Sequence, residues 1–221
     1  MISDKNQYIA EKWGVDLAQK PHIQVLGMNR ASLARLFTRF GYRTGVEVGT
    51  LAGEYADVLC RSNPRMKLYC VDPYEAYVGY VRYHTQRNLD DSFKQAKKRL
   101  KRQNVEFIKE YSVEAAKQFE RESVDFVYID GAHDFRNVVD DIDSWYLKIK
   151  VGGIISGHDY IRRKRPTRTH IIQAVHGFRD SYSIKSPLFI TDRPGHLKEK
   201  GRDQTRSWFW IKDKLDNEYL R

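Results

Sequence analysis

Short apolar runs alternate with longer stretches of helical periodicity through most of the chain. GVEV (45–48), KLYCV (67–71), VEFI (105–108), VDFVYI (124–129) and GGIISG (152–157) are brief and mostly rich in Val and Ile, which predicts strands. Between them, EYADVLCRS (54–62), a basic segment from about 88 to 102, SVEAAKQFERE (112–122) and FRNVVDDIDSWYLKI (135–149) predict helices. Upstream, Asn29 can cap a helix through RASLARLFTRF, whose Leu33, Leu36, Phe37 and Phe40 share one face, with Gly41 where a helix usually stops. After residue 160 the order changes. A helix through about THIIQAVHGFRDS leads to two runs, near YSIKSPLFI and RSWFWIK, joined by the polar loop TDRPGHLKEKGRDQ, and these read as an antiparallel hairpin. Strands separated by helices imply βαβ units and a parallel sheet, an α/β fold. Residues 1–28 form a polar, weakly patterned lead-in. The reading is a single domain overall, 44–221, preceded by a helical lead-in and cap over 1–43.

Composition adds boundaries to this pattern. Of 221 residues, 41% are hydrophobic and 31% charged, as in globular chains. No apolar run approaches the roughly 20 residues that span a bilayer, and MISDKNQYIAEKWG lacks the apolar centre of a signal peptide. A soluble, cytoplasmic protein is expected. Cys60 and Cys70 are expected to be reduced and packed as small hydrophobes. The formal net charge of +10 favours an anionic partner: nucleic acid, an anionic glycan or a phosphorylated small molecule.

Ligands of open α/β sheets bind beyond the carboxyl ends of the strands, so what stands there matters most. The first predicted strand runs into GVEVGTLAGEYA, where Gly49 and Gly53 permit a tight turn and Thr50 and Leu51 break the spacing of a dinucleotide GxGxxG. Glu47, an acid inside an apolar strand, needs a partner: a ligand, or neighbouring backbone amides. KLYCV ends in Asp72-Pro73-Tyr74, an acid where nucleoside-binding folds hold ribose hydroxyls. Tyr111-Ser112 follows the third strand, and Ser112 either caps the next helix or touches a bound base. VDFVYI ends in Asp130, His133 and Asp134, and GGIISG in His158-Asp159-Tyr160. Two adjacent strands thereby bring carboxylates and imidazoles to one rim. Directly after, IRRKRPTRTH carries five basic residues between 162 and 168, either a solvated loop or an electropositive collar beside the rim.

Taken together, VEVGTLAG, LYCVDPYE, VDFVYIDGAHDF, DDIDSWYLKIKVGGIISGHDY and the closing WFWIK resemble the class I S-adenosylmethionine-dependent methyltransferases, nearest their small-molecule and sugar O-methyltransferase branch. The resemblance spans about 44–160. It implies a Rossmann-like, doubly wound, seven-stranded sheet, mostly parallel with the last strand antiparallel, and helices on both faces. It also implies that Glu47, Gly49, Thr50 and Gly53 surround the methionine part of S-adenosylmethionine, that Asp72 holds the ribose, and that Pro73, Tyr74, Tyr111 and Ser112 lie near the adenine. In catechol-type relatives the position of Asp130, also beside the cofactor, and that of Asp159 are metal ligands, and His133 stands where they carry a catalytic lysine. Their third ligand, an Asn, is replaced here by Tyr160. Mg²⁺ between Asp130 and Asp159 is compatible with what remains.

The expected reaction is methyl transfer to a hydroxyl of a small-molecule, sugar or glycan acceptor, possibly anionic, leaving S-adenosylhomocysteine. His133 is the expected base and His158 the alternative, because an imidazole titrates near neutral pH. Two other readings stand beside it: an RNA methyltransferase, encouraged by the charge, and a non-catalytic protein that keeps the fold.

Overall fold

A computed structural model describes residues 4–76, 85–162, 169–192 and 205–218. The chain opens with helix α1 (Asp4–Trp13) and a short strand, β1 (Ile23–Val25). Helix α2 (Arg30–Arg39) begins where Asn29 Oδ1 accepts from the Ser32 amide at 2.8 Å, and it buries Leu33, Leu36 and Phe37. Then come β2 (Thr44–Val48), α3 (Glu54–Ser62), β3 (Lys67–Val71), α4 (Gln86–Arg99), β4 (Val105–Ile108), α5 (Ser112–Ala116) and β5 (Val124–Ile129). The remainder is α6 (Phe135–Tyr146), β6 (Ile149–Gly157), α7 (Ile171–Ser181), β7 (Phe189–Thr191), β8 (Trp208–Ile211) and a closing 3₁₀ turn, Leu215–Glu218.

The strands form one sheet in the order β1-β7-β8-β6-β5-β2-β3-β4. All neighbours pair in parallel except β8, which is antiparallel to both β6 and β7. The doubly wound α/β architecture with an antiparallel last strand is therefore present. The sheet has eight strands, where seven were expected. The eighth is β1, from the segment read as a featureless lead-in, and it pairs Ile23–Val25 with Phe189–Thr191. Three residues in a polar stretch carry no legible periodicity; the strand exists because β7 offers a free edge.

Other boundaries moved for local reasons. Helix α5 stops at Ala116 rather than running to 122, because Phe119 turns inward against Tyr69 and Trp145 and Glu122 takes a left-handed φ of 54°. Ser112 is not the cap of that helix: Tyr111 is the N-cap residue, and Ser112 Oγ accepts from Trp145 Nε1 at 2.9 Å. In YSIKSPLFI only the part after Pro187 is strand, since proline cannot donate to a ladder.

The sheet is buried on both faces. Val46, Val48, Val127 and Ile129 point to one layer with Trp145, Tyr146, Trp208 and Trp210. Phe126, Tyr128, Ile154 and Phe209 point to the other, against Phe37 and Leu33 of α2 and Leu59 of α3. This accounts for the apolar run FVYI (126–129), because a strand covered on both sides has no polar face to show, while Asp125 before it accepts from Arg43 N and Thr44 N at the strand's start. Cys60 and Cys70 are free and buried in the second layer. Among the described residues no helix is long and apolar enough to cross a membrane.

Candidate active site

Strand order reverses at β2, which lies between β3 and β5. The ladder continues just past the strand ends: Gly49 N donates to Val71 O, Asp130 N to Val48 O and His158 N to Ile129 O, at 2.8, 2.8 and 3.0 Å. These three bonds align the glycine turn, Asp130 and His158 along a single carboxyl-end rim.

The turn after β2 is shaped by close approach. Gly49 has φ +86°, and a Cβ there would stand 2.3 Å from Asp130 O, so no other residue fits. Gly53, also left-handed, opens α3. Asp72 is 7% exposed and braces the turn from β3: its Oδ2 accepts from Leu51 N at 2.9 Å and its Oδ1 from Tyr74 N at 2.8 Å. Backbone capping, which was the alternative role for Glu47, thus belongs to Asp72. Glu47 itself is 2% exposed and its Oε2 has no hydrogen-bond partner. Burial, then the charge of Asp130, push its pKa up to about 8, against the opposing pull of Thr50 and Arg30. Thr50 Oγ1 is likewise buried, near enough to Glu47 to lower its pKa although no well-aligned hydrogen bond joins them. Two buried polar atoms of this kind beside a glycine turn could hold a polar ligand.

Around the next strand ends the aromatics divide. Tyr74, expected near a base, is 1% exposed, packs on Phe93 at 4.6 Å and donates its hydroxyl to Leu51 O, so it supports the turn from below. Tyr111 is 47% exposed and lies beside Glu75, to which its hydroxyl donates at 3.3 Å; Pro73 is half-buried nearby.

The densest cluster is Asp130, His133, His158 and Asp159. His133 Nε2 lies 3.1 Å from Asp159 Oδ2 and 4.0 Å from Asp130 Oδ1, and His158 Nδ1 is 3.6 Å from each carboxylate. The imidazoles differ in access. His133 retains 39% side-chain exposure against 9% for His158, which is further enclosed by Thr205 at 3.0 Å from Nε2. Burial pushes Asp159 up, yet the hydrogen bond to His158 and the charges of His133 and His158 outweigh it and bring its pKa to about 2. Asp130, His133 and Asp159 each offer a donor atom within 4.8 Å of the others, a spacing that one divalent ion can bridge. Asp134 only caps α6, accepting from Asn137 N at 3.2 Å.

Asp159 adopts φ +54°, a left-handed conformation that Asp tolerates. Its own carboxylate faces His133, while the next residue, Tyr160, is 5% exposed and points to His176 and His22 instead. Tyr160 therefore does not stand in for the missing Asn; His133 is the third potential donor. Sequence reasoning passed over Thr205 and Arg30, neither of which has a distinctive neighbourhood in the chain. Of the basic segment after β6, Arg163, Lys164, Arg165 and Arg168 lie outside the described residues, as do most of the loops around 74–88 and 191–205.

Comparisons with known proteins agree with this geometry. A family described as Methyltransferase domain matches residues 46–160, the stretch from β2 to just past β6. No curated protein matches. Among solved structures, the O-methyltransferase from Bacillus cereus in complex with SAH is 18% identical with a TM-score of 0.55, over 83% of this chain and 80% of that one. The O-methyltransferase TomG from Streptomyces achromogenes, in complex with SAM, is 13% identical with a TM-score of 0.56, over 96% and 91%. An rRNA methylase from Streptococcus thermophilus is 12% identical with a TM-score of 0.56, over 85% and 99%. At these identities the structural likeness is one of fold.

Proposed function

The chain belongs to the methyltransferase-domain family, and from that premise we propose that it transfers a methyl group from S-adenosylmethionine to a hydroxyl oxygen of a small-molecule, sugar or glycan acceptor. The observation that carries this reading is the meeting of Asp130, His133 and Asp159 at the rim next to the Gly49 turn. The turn and the unpartnered Glu47 and Thr50 atoms suit the polar methionine end of the cofactor. Asp72, at the carboxyl end of β3 beside the turn, is the carboxylate placed to accept from ribose hydroxyls. Tyr111, exposed beside Pro73, offers a face for the adenine, with Tyr74 and Ser112 supporting from behind.

The chemistry asks mainly for alignment and removal of one proton. Asp159, ionised throughout the working pH range, orients His133 from 3.1 Å, and the ring nitrogen turned away from it takes the acceptor's proton. S-adenosylmethionine bound there would supply the methyl group to the acceptor oxygen, the sulfur keeping the electron pair of the carbon–sulfur bond, and would leave as S-adenosylhomocysteine. His158 and Thr205 hold the far side of Asp159 in place.

The donor set at the rim also fits a divalent ion such as Mg²⁺: Asp130 and Asp159 would hold it, while His133 would serve either as a third donor or as the base, since its neutral ring has one lone pair. Such an ion lowers the pKa of a hydroxyl bound to it.

Calorimetry with S-adenosylhomocysteine tests the cofactor assignment, and failure to bind removes the reading. Methylation of RNA is a second reading, supported by the net charge and by the exposed Lys97, Lys98 and Arg99 at the end of α4. It predicts RNA binding that weakens steeply with salt. Tight cofactor binding without turnover on any acceptor would favour a binding protein instead.

A further inference from the structure

Three aromatic rings that the proposed mechanism does not use meet on the far side of Asp159. Tyr160 Oη lies 2.7 Å from His176 Nε2 and 3.5 Å from His22 Nδ1. The ring centroids form a near-equilateral triangle: 5.7 Å from His22 to Tyr160, 6.1 Å from Tyr160 to His176 and 6.4 Å from His22 to His176. Tyr160 is the buried floor, and the two half-buried imidazoles are the lip. The residues come from the position just before β1, the loop after β6 and the middle of α7.

Two imidazoles and a phenol are donors a transition metal would accept, but the surrounding charge opposes it. Arg162, Arg179 and Arg206 all act on Tyr160, Arg206 acts on His22, and Arg179 acts on His176; among the described residues Asp180 opposes them at His176, and Asp216 joins it in acting on Arg179. Three guanidiniums outnumber these two carboxylates, which favours an anion over a cation. A purely structural joint is also a poor account, because a buried tyrosine between two imidazoles gains little over apolar residues of similar volume.

We propose that His22, Tyr160 and His176 form a subsite for an oxyanion group, carboxylate or phosphate, carried by the methyl acceptor. The assignment to the acceptor rests on the methyltransferase reading above. Asp159 and Tyr160 are consecutive, with Cα atoms about 3.8 Å apart. The left-handed Asp159 directs one side chain to the rim and the next to the cluster, so one small molecule can place its hydroxyl at the first and its anionic group at the second. The bonding is self-consistent. Burial and the neighbouring arginine hold His22 below its ordinary pKa, and burial, His22 and Arg179 do the same for His176. In the free protein the Tyr160 hydroxyl donates to neutral His176. An arriving oxyanion favours protonation of His176, whose Nε2–H then donates to Tyr160 Oη and frees the hydroxyl proton for the anion. The 3.5 Å separation of His22 Nδ1 is at the outer limit of a hydrogen bond, so that nitrogen has little to give up when it turns to the anion.

The test follows histidine ring signals by NMR as inorganic phosphate, and separately acetate, is added at constant ionic strength. Calorimetry with S-adenosylhomocysteine runs alongside on every variant. The signals of His22 and His176 should move saturably with at least one oxyanion and not with chloride, and the tighter of the two identifies the acceptor's charged group. In Tyr160→Phe and in His22→Gln that oxyanion should bind roughly tenfold more weakly, the usual cost of a hydrogen bond to a charged group, with cofactor affinity unchanged. Signals that merely follow ionic strength, or saturation that is identical in both variants, overturn the subsite. Wild-type protein that binds phosphate or acetate but not S-adenosylhomocysteine overturns the acceptor assignment through the failure of the methyltransferase reading, a result distinct from loss of the oxyanion response alone.

Discussion

His133 Nε2 and Asp159 Oδ2 stand 3.1 Å apart although they arrive from the ends of two different strands. If Asp159 sets the tautomer of His133, Asp159→Asn removes the fixed acceptor and lets the imidazole present the wrong nitrogen. Turnover should fall by roughly 10²- to 10⁴-fold. His133→Ala should cost a similar factor, and the double variant little more than either, because the two act as a unit. Steady-state kinetics on any acceptor found by screening reads this, with cofactor affinity as the control.

Glu47 is raised to about 8 by burial and by Asp130. The sign follows from linkage: a carboxyl whose folded pKa lies above its unfolded one stabilises the fold fully below about 4.3, and this contribution is lost as pH rises through 8. Denaturant melts between pH 5 and 9 should show a declining limb that Glu47→Gln flattens. Binding of S-adenosylmethionine, whose ammonium favours the ionised acid, should release protons near pH 7. Calorimetry in buffers of different ionisation enthalpy should detect the release in wild type and not in the glutamine variant.

Gly49→Ala combines a left-handed backbone with a Cβ 2.3 Å from Asp130 O. The conformational and overpacking costs together predict roughly 2–5 kcal/mol of destabilisation in urea melts. The displaced groups are Asp130 and the turn, so cofactor affinity should fall in the same variant.

Asp72 braces Leu51 and Tyr74, and under the proposed function it also accepts from the ribose. Asp72→Asn keeps the shape and half the acceptor capacity. S-adenosylhomocysteine should bind roughly ten- to a hundredfold more weakly by calorimetry, the range expected for losing hydrogen bonds to a charged group.

The spacing of Asp130, His133 and Asp159 predicts one divalent site. Manganese titrated into chelator-treated protein should bind with unit stoichiometry by electron paramagnetic resonance. Asp130→Ala and Asp159→Ala should each abolish that binding.

Much of this molecule is written locally. VDFVYI reads as a doubly covered strand because every residue from Phe126 to Ile129 meets a packed layer. Asp72 and Asp130 follow such runs directly and Asp159 stands two residues past one, so their position at the rim is readable in sequence, because a strand's end is fixed relative to its neighbours by the ladder. What was not legible depends on distant pairing. IQV became a strand only through β7, and Tyr160 gained meaning only beside residues 22 and 176, which nothing in the sequence connects. Tyr74 and Ser112 were named for the ligand side, but one bonds to a carbonyl and the other to a tryptophan from within the core. Side-chain direction after a turn is set by φ and ψ, which spacing does not encode.

The placement of β1 has a consequence beyond geometry. Next to it, β7 is three residues long and fully buried; without β1 it would be the sheet's outermost strand on that side, with a row of unsatisfied amides and carbonyls. The same short segment that delivers His22 to the cluster therefore pairs that edge and leaves outermost a strand of three residues, too short to template another sheet. Residues around position 22 answer to two demands at once: recognition of what binds there, and keeping each copy of the protein from joining its sheet to the next.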